Sequence, residues 1–342
     1  MDRQFPPEII QLIVKASIGP ATTPSRSAQT STRYSTLLSY STLNSTWNEI
    51  SRRFLYKYVT IDDRSDAKLL IEACGTNEET KYLVRTLTVS GELSKGGNYW
   101  HADRIVQRAL ECVPRVRTLV VRHNKVRFSD LAPLQNLRRL YLTAVAFEPP
   151  SSESPISSTA SLPSLTHLDC FNCDLRAVSD SFFHPQFLPQ IRSIAYRESP
   201  GRLDNFEGLG PQLKAIKVRT EDACAATLPH AKSLLLLSLS SSVYLSTAVD
   251  NFTTTPRFLH FDHADSPATR ESLEFLVNSR KTGLEVIFLD AKEASCGWAR
   301  EWQPCVDALR AKGIRVELGE LSFLKAIERM DKIMKEAILC GV

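Results

Sequence analysis

At 342 residues the chain exceeds one ordinary globular core, which leaves two domains or one extended repeat. Apolar residues make up 43% and charged residues 23%, an ordinary globular balance that excludes a wholly disordered chain. A net charge of +4 without a long Lys/Arg run gives no case for nucleic acid, and eight scattered Cys do not make a disulfide scaffold.

Residues Met1 to Glu8 lack the basic-then-apolar layout of a signal peptide. The uncharged stretch Ser233 to Val249 is 17 residues long and seven of them are Ser or Thr. That falls short of the ~20 apolar residues that cross a bilayer. The expectation is a reducing compartment, cytoplasmic and/or nuclear, with no membrane partner.

In chain order, the first element is a helix opened by the pair Pro6-Pro7, which suits a helix start because the first position needs no donor. Ile9, Ile10, Leu12 and Ile13 give it an apolar face. Residues 19–36 are rich in Ser, Thr and Pro, and are expected to be a mobile insert. A second helical stretch follows, in which Trp47, Ile50 and Phe54 fall on one face. Tyr58 to Ile61 then reads as a strand.

From residue 58 onward an apolar-x-x-apolar-x-apolar pattern recurs. Its copies are Val84/Leu87/Val89, Val116/Leu119/Val121, Leu137/Leu140/Leu142, Leu165/Leu168/Cys170, Ile191/Ile194/Tyr196, Leu213/Ile216/Val218 and Leu234/Leu237/Leu239. Pro256/Leu259/Phe261, Leu284/Ile287/Leu289 and Ile314/Val316/Leu318 complete the series. From Leu87 to Ile287 the middle positions lie 21 to 32 residues apart. A strand of this kind cannot bury its apolar side alone, whereas parallel copies stacked side by side share one core. The connectors include helical patterns at His101 to Val113, Thr269 to Arg280 and Trp298 to Lys312. Residues 148–161 are a second Ser/Pro-rich insert expected to be mobile. A final amphipathic helix, 321–339, is expected to cap the last repeat.

Leu165-Thr-His-Leu168-Asp-Cys170-Phe-Asn-Cys173-Asp-Leu175 resembles the leucine-rich-repeat consensus at every position, with Cys170 in place of a Leu. That resemblance implies an α/β fold over residues 58–320, an irregular solenoid with parallel strands on its concave side and helices on its convex side. Residues 321–342 would form the capping helix.

The N-terminal stretch resembles a second family, the F-box. Phe5-Pro6-Pro7-Glu8-Ile9-Ile10 matches its opening, Leu43 with Trp47 its second signature, and Leu55-Tyr56-Lys57-Tyr58-Val59 its third. The stretch Asn44-Ser45-Thr46 departs from the family pattern. The resemblance implies a three-helix module over residues 1–57 that docks on the adaptor Skp1, and hence on a cullin-RING ubiquitin ligase. Pro7, Ile9, Leu12, Ile13, Leu43 and Trp47 would be its anchors. The same residues would alternatively serve as the module's own core.

Strand alternation turns a second set of residues to the concave side. Among them Arg122, Arg139, Arg197, Lys217 and Arg219, with Tyr141 and Phe171, make a basic, aromatic face suited to an acidic or phosphorylated protein segment. A solvated face without a partner is the alternative reading.

The expected role is therefore substrate receptor of the ligase, without catalysis, and otherwise a repeat scaffold with no ligase role. No cofactor and no metal are expected. Cys170 and Cys173 have zinc spacing but no second ligand pair, and fit the repeat as core. His260 and Asp262 share a strand face without a nucleophile, and read as surface residues. Glycine-rich phosphate loops and nucleophile elbows are missing from the sequence. Thr23-Pro24, Ser154-Pro155 and Ser266-Pro267 are weak candidates for proline-directed phosphorylation.

Overall fold

The structure, a computed structural model, describes residues 5–18, 27–90, 104–126, 128–147, 161–175, 183–197, 206–279, 283–291 and 296–339. The chain divides into two compact units, Met1–Leu140 and Tyr141–Val342. The division falls well beyond the boundary at 57 expected from the helical module.

The first unit opens with three helices, α1 (Pro7–Ile18), α2 (Ser27–Ser41) and α3 (Ser45–Leu55). Pro7 starts α1 as expected. Asn44, part of the stretch that departs from the F-box pattern, is the N-cap of α3, and its side chain accepts the Trp47 N–H at 3.1 Å. The expected mobile insert is corrected here in part: its second half is the start of α2. Ser and Thr are weak helix formers, but Ser39 returns its hydroxyl to the Ser35 carbonyl at 2.9 Å, and fully buried Leu37 anchors the helix. The first half of that insert, 19–26, lies outside the described residues.

Next come β1 (Tyr58–Ile61), α4 (Arg64–Thr76), α5 (Glu78–Leu83), β2 (Thr86–Ser90), α6 (Arg104–Glu111), β3 (Thr118–Arg122), β4 (Lys125–Val126) and α7 (Phe128–Leu131). Asp63 caps α4 through a capping box with Asp66. β1, β2 and β3 pair in parallel, with Val59 beside Leu87 and Leu87 beside Leu119. The repeat positions read from the sequence thus lie in one row.

β5 (Arg139–Thr143) carries the division between the units. In the second unit follow β6 (Ala146–Phe147), β7 (His167–Phe171), β8 (Ser193–Arg197), α8 (Phe206–Leu209), β9 (Ala215–Val218), α9 (Glu221–Thr227) and β10 (Leu236–Leu239). After them come α10 (Leu245–Val249), β11 (Phe258–Phe261), α11 (Pro267–Asn278), β12 (Val286–Asp290), α12 (Cys296–Ala311), β13 (Arg315–Gly319) and α13 (Phe323–Leu339). Strands β7 to β13 form a parallel sheet in chain order. The insert 148–160 lies outside the described residues. Among the described residues, no helix is long and apolar enough to cross a membrane.

Alternation gives this sheet two faces. The back carries the rows Leu168, Ile194, Ile216, Leu237, Leu259, Ile287 and Cys170, Tyr196, Val218, Leu239, Phe261, Leu289, all buried. These are the apolar positions of the sequence repeat. A residue in left-handed conformation follows each of β3, β5 and β7: His123, Ala144 and Asn172, with φ of 50, 51 and 55°. The recurrence marks the same turn made three times.

Candidate functional site

In the helical module, Ile10, Val14, Leu37 and Ile50 form a closed core, with Ile18, Tyr40, Trp47, Phe54 and Leu55 packed on it. Trp47 is one of the six expected anchors, yet it is half-buried and its ring lies 5.1 Å from that of Tyr40. It is a core residue of the module first. Ile13 is half-buried. Pro7 is exposed, as are Ile9 (41%), Leu12 (61%) and Leu43 (59%). Phe5 and Leu38 add two exposed apolar side chains that the sequence reading did not place in the site. For Leu38 the signal was present. Adjacent Leu37 and Leu38 sit ~100° apart on a helix, so one of them faces out once the other is buried.

A cleft beside this module is lined by Leu38, Arg52, Tyr56, Asp66, Leu69 and Glu72. It is apolar with scattered charge, and the Tyr34 hydroxyl donates to the Tyr58 carbonyl at 2.6 Å between α2 and β1.

The front of the second unit's sheet is the face expected to hold a substrate. Its register sets out two rows, His167, Ser193, Ala215, Leu236, Phe258, Val286, Arg315 and Asp169, Ala195, Lys217, Ser238, His260, Phe288, Glu317. For two of the expected basic residues, Lys217 and Arg219, the open surface is corrected here. The Lys217 ammonium is buried and forms an ion pair with Asp262. The Arg219 guanidinium pairs with Asp169 at 3.1 Å and lies over the Phe171 ring, 5.3 Å from its centroid. Tyr141 packs its ring 5.4 Å from that of His167.

Each ion pair reaches across one intervening strand, where Ala195 or Ser238 is small enough to leave room. Such partners lie 50 residues apart for Arg219 and Asp169, a distance at which sequence alone pairs nothing. Burial pushes the Asp169 carboxyl up in spite of Arg219 and Lys217 beside it. Asp262 is also pushed up by burial, but the Lys217 ammonium and its hydrogen bond outweigh this and hold it below the usual carboxylate range. Arg122 and Arg139 belong to the first unit, on β3 and β5, and both are half-buried. The Arg197 side chain lies outside the described residues, although its backbone ends β8.

His260 is fully buried, which overturns its reading as a surface residue. Burial pushes its pKa down to about 4. The donor atoms of His260, Asp262 and Asp290 lie within 4.8 Å of one another. All three are engaged by the protein: Asp262 by Lys217, Asp290 by the Leu321 N–H at 3.1 Å, and His260 by Ser238 and Leu321. The Lys217 ammonium thus supplies the positive charge that this cluster calls for. Cys170 and Cys173 are buried thiols in the repeat core.

Ser266 is the N-cap of α11, buried, with its hydroxyl accepting the Thr269 N–H at 3.1 Å. That corrects its reading as a phosphorylation candidate, since a kinase has no access to it. Thr23 and Ser154 lie outside the described residues.

The helix 321–339 is not where the sequence placed it. α13 packs on the front face, where Phe323, Ala326 and Met330 join Ala195, Ala215, Leu236, Phe258, Val286 and Phe288 in one buried cluster. An end cap would have left these front residues open to water.

No family model matches the sequence, and no curated protein matches it. Among solved structures, a protein from Bacteroides fragilis is 11% identical over 73% of this chain and 69% of that chain, with a TM-score of 0.40. The chain in the crystal structure of a TLR13–ssRNA13 complex is 14% identical; the match covers 69% of this chain but 35% of that one, with a TM-score of 0.34.

Proposed function

We propose that the chain is a non-catalytic substrate receptor of a Skp1–cullin–F-box ubiquitin ligase. Its N-terminal helices bind a Skp1-like adaptor and its repeat region holds a protein substrate. One observation carries the adaptor half. The module closes its own core with Ile10, Val14, Leu37 and Ile50, and still turns Ile9, Leu12 and Leu43 outward. Exposed aliphatic anchors of this size are what a desolvating interface uses. The receptor raises the effective concentration of its target near the ubiquitin carrier and supplies no reacting group.

The test is a pull-down of the full chain with purified Skp1, beside a Leu12→Asp/Leu43→Asp variant. Binding by the wild type that the variant loses supports the proposal. A folded wild type that does not bind Skp1 overturns the ligase role and leaves a repeat scaffold for protein–protein interaction.

A further inference from the structure

The front face under α13 is built as a trough. Its floor is apolar where the helix lies, with Leu236, Phe258 and Val286 in one row and Phe288 in the next, and the Phe258 and Phe288 rings stacked 6.2 Å apart. Ala195 and Ala215 keep the floor low toward β8 and β9. Into this trough α13 turns Phe323, Ala326 and Met330, with Ile327, Ile333 and Met334 at its edges. Spacings of three, four and seven are those of one helix stripe.

Polar contacts fix the ends. His260 Nε2 donates to the Leu321 carbonyl at 2.6 Å, and the Leu321 N–H donates to Asp290 at 3.1 Å. Farther along, Arg329 pairs with Glu317 at 3.3 Å, and an Arg257 N–H points at the Met334 sulfur at 3.4 Å. The two polar groups that hold Leu321 contact its main chain, which any polypeptide supplies, while its side chain packs against the same apolar cluster. α13 also contributes no strand to the sheet, so lifting it breaks no ladder hydrogen bond.

We infer that this face is a helix-binding groove that α13 fills in cis, and that it takes an amphipathic helix of a partner protein when α13 lifts away. The partner helix carries a large apolar residue, a small one three positions on and another large one at the seventh, with Arg or Lys placed to meet Glu317. Helix-in-groove recognition reads a stripe of this kind. Occupation in cis also keeps Phe258 and Phe288 from forming an exposed apolar patch before the partner arrives. The inference names the substrate class for the repeat half of the proposed receptor. Its test needs no adaptor, so the two readings fail separately.

The probe is a fluorescently labelled synthetic peptide of residues 320–342, titrated against the full chain. A tethered helix competes at an effective concentration in the millimolar range, so the wild type is expected to bind the peptide weakly. A Phe323→Ala/Met330→Ala variant weakens the seated helix and leaves the floor intact. It is expected to bind the wild-type peptide at least about tenfold tighter than the wild-type chain does. A peptide carrying the same two substitutions should bind neither. If the folded variant binds the peptide no better than the wild type, the groove is not a helix receptor and the inference falls. Hydrogen exchange on the unaltered chain gives an answer that does not depend on how the variant folds. α13 amides are expected to exchange together, about tenfold or more faster than those of β10 and β11. Equal protection in α13 and those strands would make the helix a permanent part of the core and overturn the inference.

Discussion

The Nε2–H of His260 donates to the carbonyl oxygen of Leu321 at 2.6 Å, across 61 residues of sequence. A carbonyl only accepts, so Nε2 must carry the proton. Nδ1 then accepts the Ser238 hydroxyl at 2.7 Å. Both ring nitrogens are used by a neutral imidazole, and burial holds the pKa down to about 4, against an ordinary value of 6.5. Asp262 and the Leu321 carbonyl pull the other way, and the Lys217 ammonium assists burial.

The first prediction concerns pH. Between pH 6.5 and about 4 the unfolded chain binds a proton at His260 that the folded chain does not. Stability from this residue is therefore unaffected above pH 6.5 and falls as pH drops toward 4, by about 3 kcal/mol over the whole window. Urea midpoints measured across that window should fall more steeply for the wild type than for His260→Asn. Parallel curves for the two proteins would place the titration elsewhere.

The buried pair Lys217–Asp262 gives the second. Lys217→Met leaves a carboxylate in the sheet face without its cation, and is expected to cost about 3–5 kcal/mol. Lys217→Met combined with Asp262→Leu removes both charges and should recover most of that loss. A double-mutant cycle by chemical denaturation measures the coupling. Additive losses would mean that the pair does not act as one unit.

The helical module separates surface from core among its expected anchors. Leu12→Asp and Leu43→Asp change exposed side chains and should alter stability by no more than about 0.5 kcal/mol each. Trp47→Ala removes a ring that packs on Tyr40 and the module core, at a cost of about 1–3 kcal/mol. Thermal melts of the three variants check the ordering. Trp47→Ala is thus a poor probe of docking, because a lost contact and a loosened module read alike.

Two backbone positions should respond to exchange of Gly and Ala with opposite signs. Ala144 sits at φ 51°, where an L side chain is strained, so Ala144→Gly should gain up to about 1 kcal/mol. At Gly210 a Cβ would stand 2.1 Å from the His230 carbonyl oxygen, a backbone atom that cannot move aside. Gly210→Ala is expected to cost about 1–3 kcal/mol. Denaturation midpoints of the two variants, taken together, test both claims.

Much of the fold was legible because its signal is local. Leu168, Ile194, Ile216 and Leu237 recur at the intervals of a strand repeat, and the register aligns them in one row. The helix begun by Pro7 announced itself through its first residues, and that of Pro267–Asn278 through the apolar spacing of Leu273, Leu276 and Val277. The start of α2 was hidden because its Ser and Thr residues argue for a loop, while Leu37 and Tyr34 hold it by contacts made at a distance.

The candidate site was legible only as a list of residues sharing a face. The register sets Lys217 in one row with Asp169, and Arg219 and Asp262 directly follow β9 and β11. Which charges neutralise one another depends on strands two apart in the sheet and on the small side chain between them. The stripe of α13 likewise declared an amphipathic helix but not the surface it covers. The sequence by itself determined the strand series, its two faces and the helices between the strands, because periodicity is a property of neighbours along the chain. Only the tertiary structure decided that the front face is filled by α13 and that Lys217 and Arg219 are already paired with Asp262 and Asp169. Those outcomes rest on side chains far apart along the chain, 45 residues for Lys217 and Asp262 and 128 for Ala195 and Phe323, and no local pattern encodes them.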